Sequence, residues 1–353
     1  MSRNLSKLLR LQSRRIPFRA SASSIPILCS NPSGILQSAL YQQTRYLSED
    51  VSQGGGEEGA EEAEQLVIVE RLPSLHIMTI GINRPNKRNC VNTETGELLK
   101  NAFLEFEADE DMYCAVLHGI GGSFCAGYDL EELSDLQDGI ANKVAEILMD
   151  QGPMGPTKMA LTKPVIAAVD GYCVAGGLEL AIMCDLRVVE ENAKLGFLNR
   201  RFGVPLIDGG TVRLPQIIGF GRAMDLILTG RLIEPREALD WGLANRVVST
   251  GTVFGQAVNL AKEIVKFPQE CLKVDRASAY NSTFSRSNFE DSMEYESLNA
   301  ASVLTTEAVS GAKKFAAGLG RGGKFNVHDV SSKTDWQIEL EEMKKKKKEE
   351  EKK

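Results

Sequence analysis

The sequence is short of most features that would commit it to a simple class. No apolar run reaches the roughly 18 residues that mark a membrane helix. There is no CxxC pair, and the three histidines (His76, His118 and His328) are far apart in the chain. That spacing offers no metal finger, and no metal site is assigned. Aromatics are 6% and charged residues 25% of the chain, with nothing fibrous or collagen-like in the pattern. Asp and Glu are missing altogether before Glu49. What is present is enough for a core: 353 residues, 42% of them hydrophobic.

The acid-free leader carries Arg3, Lys7, Arg10, Arg14, Arg15, Arg19 and Arg45 among many serines. Arginines interrupt every stretch that could serve as a secretory h-region. A basic, Ser-rich segment that can form an amphipathic helix has the composition of a mitochondrial transit peptide, which predicts a matrix protein. The run Arg45-Tyr46-Leu47-Ser48 resembles a processing site, with cleavage after Leu47. The alternative is a basic arm that binds an acidic partner. Removing the seven leader cations leaves 34 basic against 48 acidic residues, a net charge of −14 in place of −7. So acidic a body is a poor match for a nucleic-acid backbone. Cys29 would leave with the leader, and the six remaining cysteines are expected to stay free thiols in a reducing compartment.

Residues 1–47 are therefore read as the transit peptide and 48–64 as a flexible Gly- and Glu-rich linker. From Leu66 the pattern alternates. LVIVER, LHIMTIGI, CAVLH (114–118), VIAAV (165–169) and LRVV read as strands. A helix is predicted from Thr93 to Asp109, with Leu98, Leu99, Ala102, Phe103 and Phe106 on one face, and GGLELAIMCD reads as another. After Gly209-Gly210 helices dominate to about residue 320. This order argues an α/β core at 65–265, a helical C-terminal part at 266–333 and a charged tail at 334–353. His76 and His118 sit in apolar, strand-like runs and read as packed side chains before catalysts.

Two glycine-rich loops carry the chemistry. Gly119-Ile-Gly-Gly-Ser-Phe-Cys-Ala-Gly-Tyr-Asp-Leu130 follows the 114–118 strand, and Asp170-Gly-Tyr-Cys-Val-Ala-Gly-Gly-Leu-Glu-Leu-Ala181 follows the 165–169 strand. A strand that ends in glycines and opens a helix leaves backbone N–H groups unpaired. Two such loops side by side would form an oxyanion hole. Neither is followed by Gly-Lys-Ser/Thr, so a nucleoside triphosphate is not the expected ligand.

These segments, with Asn83-Arg-Pro-Asn-Lys-Arg-Asn, Cys-Asp-Leu-Arg-Val, Gly209-Gly-Thr-Val-Arg-Leu-Pro, Leu228-Thr-Gly-Arg and Ala238-Leu-Asp-Trp-Gly-Leu-Ala-Asn-Arg-Val, resemble the enoyl-CoA hydratase/isomerase (crotonase) superfamily over about residues 66–320. The resemblance implies a ββα spiral core whose helical C-terminal part builds a homo-trimer or a dimer of trimers. It implies an acyl-CoA thioester as ligand and no separate cofactor, since coenzyme A is part of the substrate. By motif position the backbone N–H groups of Tyr128 and Gly176 would form the oxyanion hole, Tyr128 being bulkier than the small residue many relatives carry. Lys87 and Arg88 would meet the CoA nucleotide, with plain surface charge as the other reading. Asp129, Leu130 and Glu131 would continue the acyl-CoA wall.

Glu179, on an otherwise apolar helix, matches one of the two glutamates that hydratases use for acid–base work. The second family glutamate falls at Asn199, an amide that can hold a water or a thioester but cannot move a proton at neutral pH. Asp208, just before Gly209-Gly210, reads either as a helix N-cap or as a relocated acid or base. The expected function is hydration of an enoyl-CoA through a stabilised enolate, with Glu179 and Asp208 as the pair. Isomerisation, decarboxylation and thioester hydrolysis are the alternatives on the same fold. A non-catalytic acyl-CoA-binding or RNA-binding relative is the alternative of a different class.

Overall fold

The computed structural model describes residues 65–134, 152–285 and 288–316. The expectations for the leader, the linker and the charged tail lie outside them. The hairpin β1 (Val67–Leu72) and β2 (Ile77–Ile82) opens the fold, and α1 (Thr93–Ala108) follows. Asn92 starts α1 by accepting a hydrogen bond from the Thr95 N–H. β3 (Cys114–Gly119) leads through the first glycine loop to α2 (Leu130–Ser134). β4 (Val165–Val169), β5 (Tyr172–Val174) and α3 (Gly176–Met183) form the next turn, then β6 (Leu186–Glu190) and β7 (Lys194–Gly196).

One sheet has the order β1-β2-β3-β4-β6-β9, where β9 is Arg246–Val248; a second has the order β5-β7-β8, where β8 is Leu232–Ile233. Apart from the β1–β2 hairpin, all pairs in the larger sheet are parallel. Each turn of the spiral gives one strand to the large sheet, one short stretch to the small sheet, and then a helix. Cys125 takes the small-sheet place in the β3 turn, bridging Cys173 of β5. This is the ββα spiral that the resemblance implies, in an α/β fold.

The central strands are apolar on both faces because both faces are covered. Ile80, Leu117 and Ala167 point into the cluster shared with α1 and α3. Ile77, Val116, Ile166 and Val188 point the other way, onto Val253, Ala257, Leu260 and Ala261 of α7 (Val253–Val265). That helix is preceded by α4 (Gly210–Ile218), α5 (Phe220–Thr229) and α6 (Pro235–Asp240). The C-terminal part consists of α8 (Gln269–Phe284), α9 (Phe289–Val303) and α10 (Val309–Ala316).

Two expectations need correction. Leu98 is 39% exposed, and Thr95 and Gly96 face inward in its place. Gly96 is held there by close approach: a Cβ on it would lie 2.9 Å from the Pro153 carbonyl oxygen. The second glycine loop is also more ordered than a plain strand-to-helix turn, because Tyr172–Val174 pairs in parallel with Lys194–Gly196.

Candidate active site

The two glycine loops meet. A Cβ on Gly127 (φ +101°) would lie 2.9 Å from Ala175 Cβ and 3.1 Å from the Gly176 nitrogen, so only glycine permits the approach. Gly177 is pressed harder still, since a Cβ on it would lie 2.1 Å from the Cys125 carbonyl oxygen. Ala175, the residue before α3, is held at φ +52°, an uncommon conformation for a residue with a Cβ. On either side, Val91 N–H donates to the Gly127 carbonyl and Asp129 N–H to the Val91 carbonyl, both at 2.8 Å. Between these bonds the Tyr128 N–H has no acceptor among the described residues, and neither has the Gly176 N–H at the start of α3. Two unpaired donors thus stand on adjoining loops.

Both loops line a cavity of about 650 Å³, a size suited to a small-molecule substrate. Its walls are mostly apolar, with Leu130, Leu133, Met154, Val174 and Ile207 among them; Glu179, Asp208, Asn199 and Arg88 supply charge and polarity. Glu179 is 2% exposed. Its Oε1 accepts from the backbone N–H groups of Asp208 (3.0 Å) and Gly210 (2.8 Å), leaving Oε2 without a protein donor among the described residues. Burial, helped by the neighbouring Asp208 charge, pushes its carboxyl up to about 7.

Asp208 is 3% exposed. Its Oδ1 accepts from the Met154 N–H at 3.2 Å and from the Thr157 hydroxyl, and burial raises its carboxyl above the ordinary aspartate range. The N-cap reading of Asp208 is overturned. The residue before α4 is Gly209 at φ +98°, and the Asp208 side chain turns away from that helix to Met154 and Thr157. Arg213 braces the backbone here, donating to the Asp208 carbonyl at 3.1 Å and the Thr157 carbonyl at 2.6 Å.

The other predicted positions divide. Arg88 lines the cavity and lies over the Tyr172 ring, 4.6 Å from its centroid; Leu130 and Asn199 line it too. Lys87, Asp129 and Glu131 do not. Lys87 pairs with Glu131 at the surface, while buried Asp129 accepts from Arg84 at 3.1 Å and fixes the first loop. Asn199 sits in a 3₁₀ turn, Leu198–Phe202, and its Oδ1 is buried with no partner among the described residues. Tyr128 lines the cavity, and its hydroxyl is 3.2 Å from Thr93 Oγ1. His118 packs against Phe254 and His76 stacks on Tyr113, both outside the cavity. Among the described residues no cluster of three His, Cys, Asp or Glu side chains could hold a metal.

Sequence reasoning missed Met154, Thr157 and the Phe202–Ile207 wall. A signal existed for the first two: Gly152-Pro-Met-Gly155 is a tight glycine cluster, and Gly152 (φ +66°) packs directly against Asp208.

The model of the enoyl-CoA hydratase/isomerase family matches residues 74–317. The chain is 35% identical over 203 residues to mevalonyl-coenzyme A hydratase sidH of Aspergillus fumigatus, covering 57% of this chain and 74% of that one. It is 34% identical over 218 residues to the short-chain-enoyl-CoA hydratase of Clostridium acetobutylicum, covering 60% and 79%. Among solved structures, an enoyl-CoA hydratase from Mycobacterium tuberculosis superposes with a TM-score of 0.64 and 31% identity, over 71% of this chain and 96% of that one.

Proposed function

Because the chain belongs to the enoyl-CoA hydratase/isomerase family, we propose that it adds water across the double bond of a 2-enoyl-CoA thioester. The observation that carries this reading is the pair of buried carboxylates, Glu179 and Asp208, in one cavity with two unpaired N–H groups. The thioester carbonyl accepts from the Tyr128 and Gly176 N–H groups, which hold the negative charge that develops there. Asp208, whose carboxylate accepts from the Met154 N–H and the Thr157 hydroxyl and whose proton affinity burial raises, takes a proton from water as the oxygen bonds to the β-carbon. Glu179, which titrates near neutrality, gives its proton to the α-carbon as the enolate collapses. Each turnover moves one proton from Glu179 to substrate and one from water to Asp208; exchange with solvent resets the pair.

Arg88, stacked on Tyr172 at the cavity wall, is the cation for the CoA phosphates. Coenzyme A enters as part of the substrate, with no further cofactor in the scheme. Asn199, at the position where the resemblance implies a second glutamate, favours double-bond isomerisation by Glu179 as the second reading. A binder without activity would have no use for two carboxylates desolvated on the same apolar wall.

The leader composition supports a matrix location after processing near Ser48. Exposed apolar side chains on the C-terminal helices, including Phe289 at 72% and Leu298 at 70%, support assembly into a trimer. The test of the reaction is Glu179→Gln, which keeps both backbone hydrogen bonds to Oε1 but cannot donate a carboxylic proton. Turnover of crotonyl-CoA should fall about 10²–10⁴-fold with thioester affinity retained. Undiminished turnover would remove Glu179 from the mechanism.

A further inference from the structure

A cation taken out of water needs a counter-charge. Arg187, at the start of β6, is 5% exposed. Its Nε donates to the Leu243 carbonyl at 2.6 Å and its Nη1 to the Cys184 carbonyl at 2.7 Å, so both bonds go to neutral groups. Its Nη2 has no acceptor among the described residues. That nitrogen is not sealed in, however. The fully enclosed side-chain atoms without a partner among the described residues are four oxygens, on Asp170, Asn199, Gln269 and Asn281. Arg187 therefore keeps an accessible, unused donor. The space it lines is a second cavity, of about 190 Å³, walled by the start of β6, by α4 and by α8.

Arg213 lines the same cavity from α4. Its two Nη groups are turned toward the active site, onto the Asp208 and Thr157 carbonyls, and its Nε has no acceptor among the described residues. The carboxylate on the cavity wall, Asp185, is already spent. Its Oδ1 accepts from Arg276 Nε and from the Tyr280 hydroxyl, both at 2.9 Å, and its Oδ2 from the Val165 N–H at 2.8 Å. Glu179 and Asp208 act on Arg213 from the active-site side. The carboxylate acting on Arg187 is Asp185, which Arg276 already neutralises.

We infer that this second cavity binds a small oxyanion such as inorganic phosphate, at a site separate from the acyl-CoA cavity. Two guanidinium groups face it, and the planar edge of each matches oxygen anions better than a spherical halide. Gln216, exposed on α4, adds a neutral amide donor to the lining. The bound ion supplies the counter-charge that Arg187 lacks. It also holds Arg213 from behind, while the other edge of that guanidinium grips the Asp208 and Thr157 carbonyls of the active site.

The test is a phosphorus NMR titration of the full chain with inorganic phosphate, at constant ionic strength and without any thioester. Binding should appear with a dissociation constant of about 1 mM, the affinity that two charge-assisted hydrogen bonds supply. Gln216→Glu, an exposed change that brings a carboxylate to the cavity, should weaken it at least about 10-fold. Arg187→Gln should abolish it. Arg88→Ala should leave it intact, because Arg88 belongs to the acyl-CoA cavity. Should Arg187→Gln fail to fold, Gln216→Glu decides alone. No binding by the parent overturns the inference, as does undiminished binding by folded Gln216→Glu. Loss of binding in Arg88→Ala would put the phosphate in the acyl-CoA site instead. Equal competition by chloride would reduce the effect to screening, and it too overturns the oxyanion site.

Discussion

Glu179→Gln should make the protein more stable as well as inactive, and the gain should depend on pH. The carboxyl titrates near 7 in the folded protein against 4.5 for an ordinary glutamate, with burial as the main cause and the Asp208 charge second. Below about pH 4.5 the side chain is neutral whether folded or unfolded, and it carries no penalty. As pH rises from about 4.5 to about 7, the unfolded chain ionises while the native state, with the group held at 2% exposure, stays protonated, and stability is lost until the native carboxyl ionises too. At about 1.4 kcal/mol per pH unit the loss reaches about 3 kcal/mol above pH 7. Glutamine keeps the acceptor for the Asp208 and Gly210 N–H groups and never ionises. The difference in unfolding free energy between variant and parent should therefore widen by about 3 kcal/mol from pH 4.5 to pH 8. In a thermal melt that is about 6–12 °C for a fold of this size. Urea unfolding at both pH values, at one protein concentration, measures it, since the titrations of groups that do not interact with Glu179 cancel in the difference. A constant gap would refute the claim that Glu179 is held as a strained, proton-carrying acid.

Three other outcomes follow from the same geometry. Asp208→Asn retains an acceptor for the Met154 N–H and the Thr157 hydroxyl, so the fold should survive while hydration falls at least about 10²-fold; a variant of full activity would return Asp208 to a structural role. Gly127→Ala forces a Cβ into the contact with Ala175 and Gly176, and by spreading the two loops it should lower kcat about 10²–10³-fold, as loss of one oxyanion donor does; steady-state kinetics on the folded variant checks it. N-terminal sequencing of the chain recovered from mitochondria should begin near Ser48, and retention of Met1 in matrix protein would exclude the leader reading.

The parts of the fold legible in the sequence were those where one physical pattern dominates. β3 and β4 read as continuous apolar runs because helices or the small sheet cover both faces. The small sheet was not legible. Its strands are three, three and two residues long, too short for a period to show, and they depend on partners 20 or more residues away. Leu98 was misplaced for a related reason, since a helical wheel cannot know that Gly96 faces the Pro153–Gly155 loop. In the site, Glu179 stood out as a lone charge on an apolar helix. The setting of Asp208 did not, because its partners Met154 and Thr157 come from a segment 51–54 residues earlier. Local reasoning therefore left a helix cap open beside the acid–base role. Asp129 looked like a ligand-facing charge for the same reason: its partner Arg84 is 45 residues away.

Addition of water to the double bond is the step that defines this enzyme's proposed reaction. The purified full chain should be incubated with a panel of 2-enoyl-CoA thioesters, and every product weighed by mass spectrometry. The expected products are thioesters that gain the mass of one water and lose the conjugated double bond, at a rate that collapses in Glu179→Gln. Thioesters that bind but return unchanged, or that return rearranged with no gain in mass, would contradict hydration.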